Sequence, residues 1–217
     1  VSHDLTEIVS NSAVERPIRC DVARWRSELE GSGFPGAVPD ELFDSVRDDN
    51  TITRDMVFAY QDGDPVDLLV ASMLWGFGPI AYGPYRTAQM LTPLDANQTV
   101  ASIVDDIRAA ARRSPAEGFG ALFSSRRTRL RQLGIAMGTK LLYFSAARHG
   151  GSPIPLVLDQ VVFAACERVG IDPPDPRRYT SSASYAAYCD EMAERAASLG
   201  IAPDELEMAL FNWQQSS

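Results

Sequence analysis

The sequence predicts an all-α protein, on three observations. Apolar residues recur at three- and four-residue intervals in segment after segment, the spacing that lines one helical face. Several of those segments open on Asp or Pro-Asp and several close on Gly, the residue types that mark helix ends. No run of alternating apolar and polar residues is sustained enough for a sheet, and there is no internal repeat or low-complexity tract.

"CDVARWRSELEG" (20–31) and "PDELFDSVRDD" (39–49) predict short capped helices. "DPVDLLVASMLWGFG" (64–78) predicts an apolar helix with Pro near its start and a glycine exit. "LDANQTVASIVDDIRAAARR" (94–113) has the helical period, and "SPAEGFGALF" (114–123) and "RRTRLRQLG" (126–134) predict short helices ahead of a tight turn at "IAMG" (135–138). "GTKLLYFSAARHGG" (138–151) predicts a helix stopped by Gly-Gly, and "LDQVVFAACERVG" (158–170) one that starts on an Asp cap. The loop "IDPPDPRRYT" (171–180) leads to helices in "SSASYAAYCDEMAERAASLG" (181–200) and "APDELEMALFNWQQ" (202–215). The irregular, Gly- and Pro-marked segments 76–84 and 171–180 are where specificity is expected, because such loops often carry it.

At 217 residues, 45% hydrophobic and 23% charged, the chain can bury a substantial core. No apolar run approaches the ~20 residues of a membrane span, and the start, "VSHDLTEIVSNSAVERP", lacks the basic and apolar regions of a signal peptide. Three widely spaced cysteines (Cys20, Cys166, Cys189) predict reduced thiols in a cytoplasmic protein rather than a disulfide framework. With His3 and His149 too scattered for a metal site, no metal and no cofactor is expected.

The net charge of −9 is unevenly spread. Residues 108–148 hold nine basic side chains against Glu117 alone, a net +8, which leaves −17 for the remainder. A basic segment in an acidic chain predicts a polyanion-binding face.

Within that segment lies the one lysine, Lys140; the other 19 basic residues are arginines. A guanidinium keeps its proton in proteins, whereas an amine can lose one and attack a sugar carbon to form a Schiff base. A helix starting at Gly138 or Thr139 would put Lys140 in its first turn. There the dipole and the neighbours Leu141, Leu142 and Phe144 favour the neutral amine. The exposed N–H groups of such a start suit a phosphate, Gly138 lets backbone approach it, and Arg126, Arg127, Arg129 and Arg131 add charge. Asp159, 19 residues beyond Lys140, is a helix N-cap that can also stabilise positive charge developing on a sugar. A lone surface lysine and a purely capping aspartate are the plainer alternatives.

The stretch 125–165 resembles the helix-hairpin-helix DNA glycosylases, specifically the 8-oxoguanine DNA glycosylase branch. That branch carries Pro-Gly-Val-Gly-Thr-Lys in its hairpin and an aspartate 19 residues beyond the lysine. Here Ile135, Ala136, Met137, Gly138, Thr139 and Lys140 stand in the hairpin and Asp159 at the matching interval. The resemblance spans roughly residues 64–215. It implies a single helical domain over 1–217, with N-terminal helices in 1–63 and a glycosylase core of two lobes around a cleft in 64–217, its hairpin at about 125–145. It also implies a monomer acting on double-stranded DNA that contains a modified base. The base would be flipped into a pocket, Lys140 would attack C1′ with Asp159 in support, and strand cleavage through the Schiff base would follow. Gly134, Gly138, Thr139, Arg126, Arg127 and Arg129 are the implied DNA contacts.

The base pocket departs from the family pattern. The family's last helix has a Gln and, four residues later, a Phe that read and stack on the flipped base; here these are Glu207 and Phe211. Phe144 replaces a Cys that often follows the lysine by four residues. "WGFGP", with Trp75 and Phe77, stands for the Asn-rich turn that fills the gap left by the base. A carboxylate only accepts hydrogen bonds, so Glu207 suits the N4 amino group of cytosine or the N1–H/N2–H edge of guanine. These departures tilt the expectation toward hypermodified bases of phage DNA, such as glucosylated hydroxymethylcytosine, in antiviral defence. Repair of 8-oxoguanine and a non-catalytic DNA-binding module are the alternatives.

Overall fold

A computed structural model describes residues 4–12, 15–32, 39–46, 49–94, 97–151, 153–178 and 180–216. Residues 47–48, 95–96 and 179, which fall within expected segments, lie outside these, as does His3. The described residues are mostly helical, in keeping with the all-α class, and form twelve helices: α1 (Leu5–Ser12), α2 (Val22–Gly31), α3 (Asp40–Val46), α4 (Arg54–Phe58), α5 (Pro65–Phe77), α6 (Gly83–Met90), α7 (Val100–Arg113), α8 (Pro115–Phe123), α9 (Ile135–Ala146), α10 (Gln160–Val169), α11 (Ser182–Leu199) and α12 (Pro203–Ser216). Helices α1, α4 and α6 were not expected. Nor were two-residue strands β1 (Ile18–Arg19) and β2 (Thr51–Ile52), which pair antiparallel, Ile18 opposite Ile52, and tie the chain ahead of α2 to the chain ahead of α4.

Most starts use the caps the sequence offers. Asp21 accepts from Arg24 N–H, Asp64 from Val66 and Asp67 N–H, and Ser181 from Ser184 N–H. Thr99 and Ser102 form a reciprocal capping box at α7. Gly170 and Gly200 end α10 and α11 in the left-handed conformation, φ +76° and +71°.

Helices α5 and α9 pack together at the centre, with α7 against both; α4 and α6 flank α5. Leu68, Leu69, Val70, Met73 and Leu74 of α5 and Leu141, Leu142, Tyr143 and Phe144 of α9 are fully buried. Burying each such aliphatic side chain contributes about 1.5–3 kcal/mol. Helix α12 packs on α1, α10 and α11, so the first and last described helices meet. No described helix is long and apolar enough to cross a membrane.

Two departures shape the site. The expected helix over 126–134 is instead a turn-containing connection. Its arginines would repel one another at helical spacing, the Thr128 hydroxyl donates to Ala121 O, and Gln132 takes φ +58°. The expected turn at 135–138 is the first turn of α9, whose N-cap is Gly134, with Gly138 N–H donating to Gly134 O at 2.8 Å. Gly138 is buried there because a Cβ would stand 2.5 Å from Phe123 Cζ; its role is close packing of α9 on the end of α8.

Candidate active site

Residues 156–158 run as a non-helical segment with Leu156, Val157 and Leu158 fully buried. Backbone polar groups buried this way need partners, and side chains supply them. Tyr185 Oη donates to Leu156 O at 2.6 Å, Tyr188 Oη to Val157 O at 3.0 Å, and Leu158 N–H to Thr139 Oγ1 at 3.0 Å. The segment is thus strapped to α11 on one side and α9 on the other, and it delivers Asp159.

Asp159 Oδ1 accepts from Val161 and Val162 N–H, both at 3.0 Å, so it caps α10 as expected. Its Oδ2 meets Lys140 Nζ at 2.8 Å. Burial pushes the Asp159 carboxyl up, but the Lys140 charge and hydrogen bond, with those two N–H groups, outweigh it and hold it below its ordinary value. Lys140 is 6% exposed and lies 5.9 Å from the Trp75 ring centroid. With α9 starting at Ile135, Lys140 belongs to its second turn, beyond the turn where the helix dipole acts. Asp159 sets its surroundings instead.

The stem of Lys140 is accommodated by a residue the sequence did not single out. A Cβ on Gly76 would stand 2.8 Å from Lys140 Cδ and 2.3 Å from Met137 Cε. Glycine in α5 therefore opens the lane along which the amine extends.

Lys140 and Asp159 border a cavity of about 580 Å³ that Trp75, Phe77, Glu207 and Phe211 also line. Four of the five expected pocket residues are thus brought together around the amine. Phe144 is not a lining residue. It is fully buried behind Trp75, edge-on at 5.1 Å between centroids, and packs on Phe58 and Tyr143. The loop after α5 adds Pro79 and Ile80, and residues from the N-terminal part of the chain complete the wall, Glu15 to Ile18 and Arg54.

Arg54 was not foreseen. It is buried, its guanidinium 3.3 Å from Glu207 Oε2. Burial pushes the Glu207 carboxyl up and Arg54 pulls it down, with Asp159 raising it, Lys140 lowering it and Asp204 raising it; the balance is a carboxyl raised to about 7.

The expected DNA contacts divide. Thr139 is buried, donating to Ile135 O and accepting from Leu158 N–H, so it straps two elements together and is not a surface group. Gly138 is likewise internal. Gly134, Arg126, Arg127 and Arg129 are exposed. Arg127 pairs with Asp106 at 3.1 Å, whereas Arg126, Arg129 and Arg131 have no acidic partner among the described residues. The other arginines of the basic segment have partners within the chain, Arg108 and Arg112 half-buried and Arg113 and Arg148 at the surface. Arg108 and Arg112 bind the carbonyl of Gln61, Arg113 pairs with Glu117, and Arg148 with Asp55. The positive charge without an acidic partner among the described residues therefore contracts from residues 108–148 to the connection ahead of α9.

Comparison with known sequence families gives a match to the family described as "Putative 8-oxoguanine DNA glycosylase OGG-like protein" over residues 11–211. No curated protein and no solved structure matches the chain. The match takes in Arg54, Lys140, Asp159, Glu207 and Phe211 together, and the chain belongs to this OGG-like family of DNA glycosylases.

Proposed function

We propose that the protein extrudes a modified base from double-stranded DNA into the cavity beside Lys140 and cleaves its glycosidic bond by attack of the amine on C1′. The observation that carries this reading is the 2.8 Å pairing of the chain's one lysine, which is buried, with a half-buried carboxylate at the wall of a base-sized or larger cavity. An amine in that position can form a C1′–N bond as the bond from C1′ to the base breaks. The base leaves with the electron pair, and the proton that the ammonium must shed is the one the departing base needs. Asp159 stays ionised and opposes the positive charge that develops on the sugar. The imine that follows allows strand cleavage on its 3′ side.

Lys140 and Asp159 act on the sugar, while Glu207, Phe211, Trp75 and Phe77 hold the base. The connection 124–134 between α8 and α9, with the first-turn N–H groups after Gly134, grips the DNA backbone as a helix-hairpin-helix element. Residues 64–217 make the glycosylase core, with the N-terminal helices completing its cavity wall.

The favoured base is a hypermodified cytosine of phage DNA, such as glucosylated hydroxymethylcytosine, and the role antiviral defence. Two features support it. Glu207 suits the N4 amino group of cytosine. A cavity of about 580 Å³ falls in the range of drug-sized ligands, about 300–1,000 Å³, and is more than a bare base fills. The second reading, 8-oxoguanine repair, is favoured by the family description, and the N1–H/N2–H edge of guanine also suits a carboxylate.

Borohydride trapping decides among these. Duplexes carrying 8-oxoguanine or glucosylated hydroxymethylcytosine are incubated with wild-type protein and with Lys140→Gln. A covalent adduct and base release on the glucosylated duplex, both lost in Lys140→Gln, are expected. Efficient release of 8-oxoguanine with the glucosylated duplex intact transfers the assignment to repair, and no release from either duplex refutes it.

A further inference from the structure

Arg54 is an arginine in the wall of a ligand cavity, and stability alone does not call for it. A buried ion pair replaced by apolar residues of similar volume is often neutral or stabilising. Its setting is nonetheless fully specified. The guanidinium lies 5.4 Å from the Trp75 ring centroid and 5.0 Å from that of Tyr143, so it sits against two aromatic rings. It donates to Tyr143 Oη at 3.2 Å, to Asp204 O at 3.4 Å and to Glu207 Oε2 at 3.3 Å. Tyr143 in turn donates to Asp204 Oδ2 at 2.8 Å. The network converges on Glu207, which is 1% exposed and borders the cavity.

We propose that Arg54 is a specificity-determining positioning residue, which holds Glu207 in place and favours its anionic, acceptor-only form, and so biases the cavity toward bases that present N–H donors. This rests on Glu207 being a base-reading residue of a glycosylase. An ionised carboxylate offers acceptors alone, whereas a protonated one also presents an O–H donor and would admit bases with acceptor edges. The pair engages Oε2, which leaves Oε1 for the base. The groups facing Glu207 are Arg54 from α4, Lys140 and Tyr143 from α9, Asp159 and Cys166 at α10, Tyr185 and Tyr188 from α11, and Asp204 on its own helix. Asp4 and Glu7, at and in α1, are exposed. Burial keeps Cys166, Tyr185 and Tyr188 neutral, so Lys140 and Arg54 are the counter-charges, and Lys140 is already paired with Asp159.

The test has two readouts on wild type, Arg54→Met and Arg54→Lys. The first is the ¹³C carboxyl titration of Glu207, assigned by its loss in Glu207→Gln. The second is the ratio of base release from glucosylated-hydroxymethylcytosine and 8-oxoguanine duplexes to borohydride adduct on an abasic duplex, which contains no base and reports Lys140 separately. In Arg54→Met the titration midpoint is expected to rise by at least one pH unit, as removal of an adjacent opposite charge does. The release-to-adduct ratio at pH 7 should fall about fivefold or more and recover as pH rises. Arg54→Lys keeps the charge and should stay near wild type. An unmoved midpoint, or a ratio that falls equally at every pH, overturns the proposal. Should Arg54→Met not fold, Arg54→Lys and Glu207→Gln decide: a wild-type ratio in Glu207→Gln overturns it, and loss there with retention in Arg54→Lys supports it. A wild type that neither releases a base nor traps an abasic site defeats the glycosylase reading itself, an outcome separate from any change on mutating Arg54.

Discussion

Thr139 Oγ1 accepts the Leu158 N–H at 3.0 Å, and one residue further along both segments Lys140 Nζ meets Asp159 Oδ2 at 2.8 Å. The two contacts are successive rungs between α9 and the buried segment before α10, each spanning 19 residues. The first rung sets the spacing of the second. Thr139→Val keeps shape and removes the acceptor, leaving a buried N–H without a partner at a cost of about 1–3 kcal/mol. The melting temperature should fall by about 2–4 °C per kcal/mol for a chain of this size. Adduct formation on abasic DNA should fall by about tenfold or more, since misplacing a reacting group by an ångström can cost a hundredfold. Thr139→Ser retains the hydroxyl and should restore both. Wild-type trapping in Thr139→Val would show that the rung does not set the lysine's position.

Gly76 supports the same amine through the space it leaves along the lysine stem. Gly76→Ala improves helix propensity by about 1 kcal/mol but puts a methyl group 2.8 Å from Lys140 Cδ and 2.3 Å from Met137 Cε. Both obstacles are parts of flexible side chains, so the helix holds and the side chains move. The expected result is a melting temperature close to wild type together with a loss of trapping, a separation that calorimetry and borohydride assay read directly. Loss of both in proportion would instead mean that α5 itself had been displaced.

Much of this site is written in local sequence, and the remainder is not. Asp159 announces itself as a cap, Lys140 as the one amine among guanidiniums, and Glu207 with Phe211 as neighbours on one helical face, because each signal spans a few residues or a known interval. Arg54 carries no such mark. It stands 153 residues from Glu207 and 89 from Tyr143, and only tertiary packing brings them together. The misplaced start of α9 has a similar origin. Two glycines flank "IAM", and local preference favours the second as a turn, but contact with Phe123 makes Gly138 a packing residue inside the helix. The strand pair β1–β2 is two residues long on each side, too short for periodicity to register.

The raised Glu207 carboxyl gives stability a definite dependence on pH. With a folded value of about 7 against an unfolded 4.5, the native state holds a proton that the unfolded chain has released across that interval. The stabilisation is therefore full below about 4.5 and is lost as pH rises through about 7. The two and a half units between them correspond to about 3 kcal/mol. Asp159 acts in the opposite sense, but its depressed carboxyl places that effect below the ordinary carboxylate range, outside this window. Melting temperatures measured between pH 5 and 8 should decline in wild type and level out in Glu207→Gln. An equal decline in both would assign the titration to another group.

The contracted basic face makes a further distinction testable. Arg126, Arg129 and Arg131 are exposed ahead of Gly134 with no acidic partner among the described residues, while Arg112 binds Gln61 O and Ser145 O and pairs with Asp62. Replacing any of the first three by Gln should leave the melting temperature within the equivalent of about 0.5 kcal/mol, as for other exposed positions. Each should lower the slope of log affinity against log salt by about one on duplex DNA, because a phosphate that the protein does not neutralise keeps its counterion. Arg112→Gln should show the reverse, a stability loss of about 1–3 kcal/mol from unpaired carbonyls with the salt slope unchanged. Fluorescence anisotropy over a salt series separates the two groups. If Arg112→Gln lowered the slope and the triple Arg126/Arg129/Arg131 replacement did not, DNA would have to approach along α7 rather than at the start of α9.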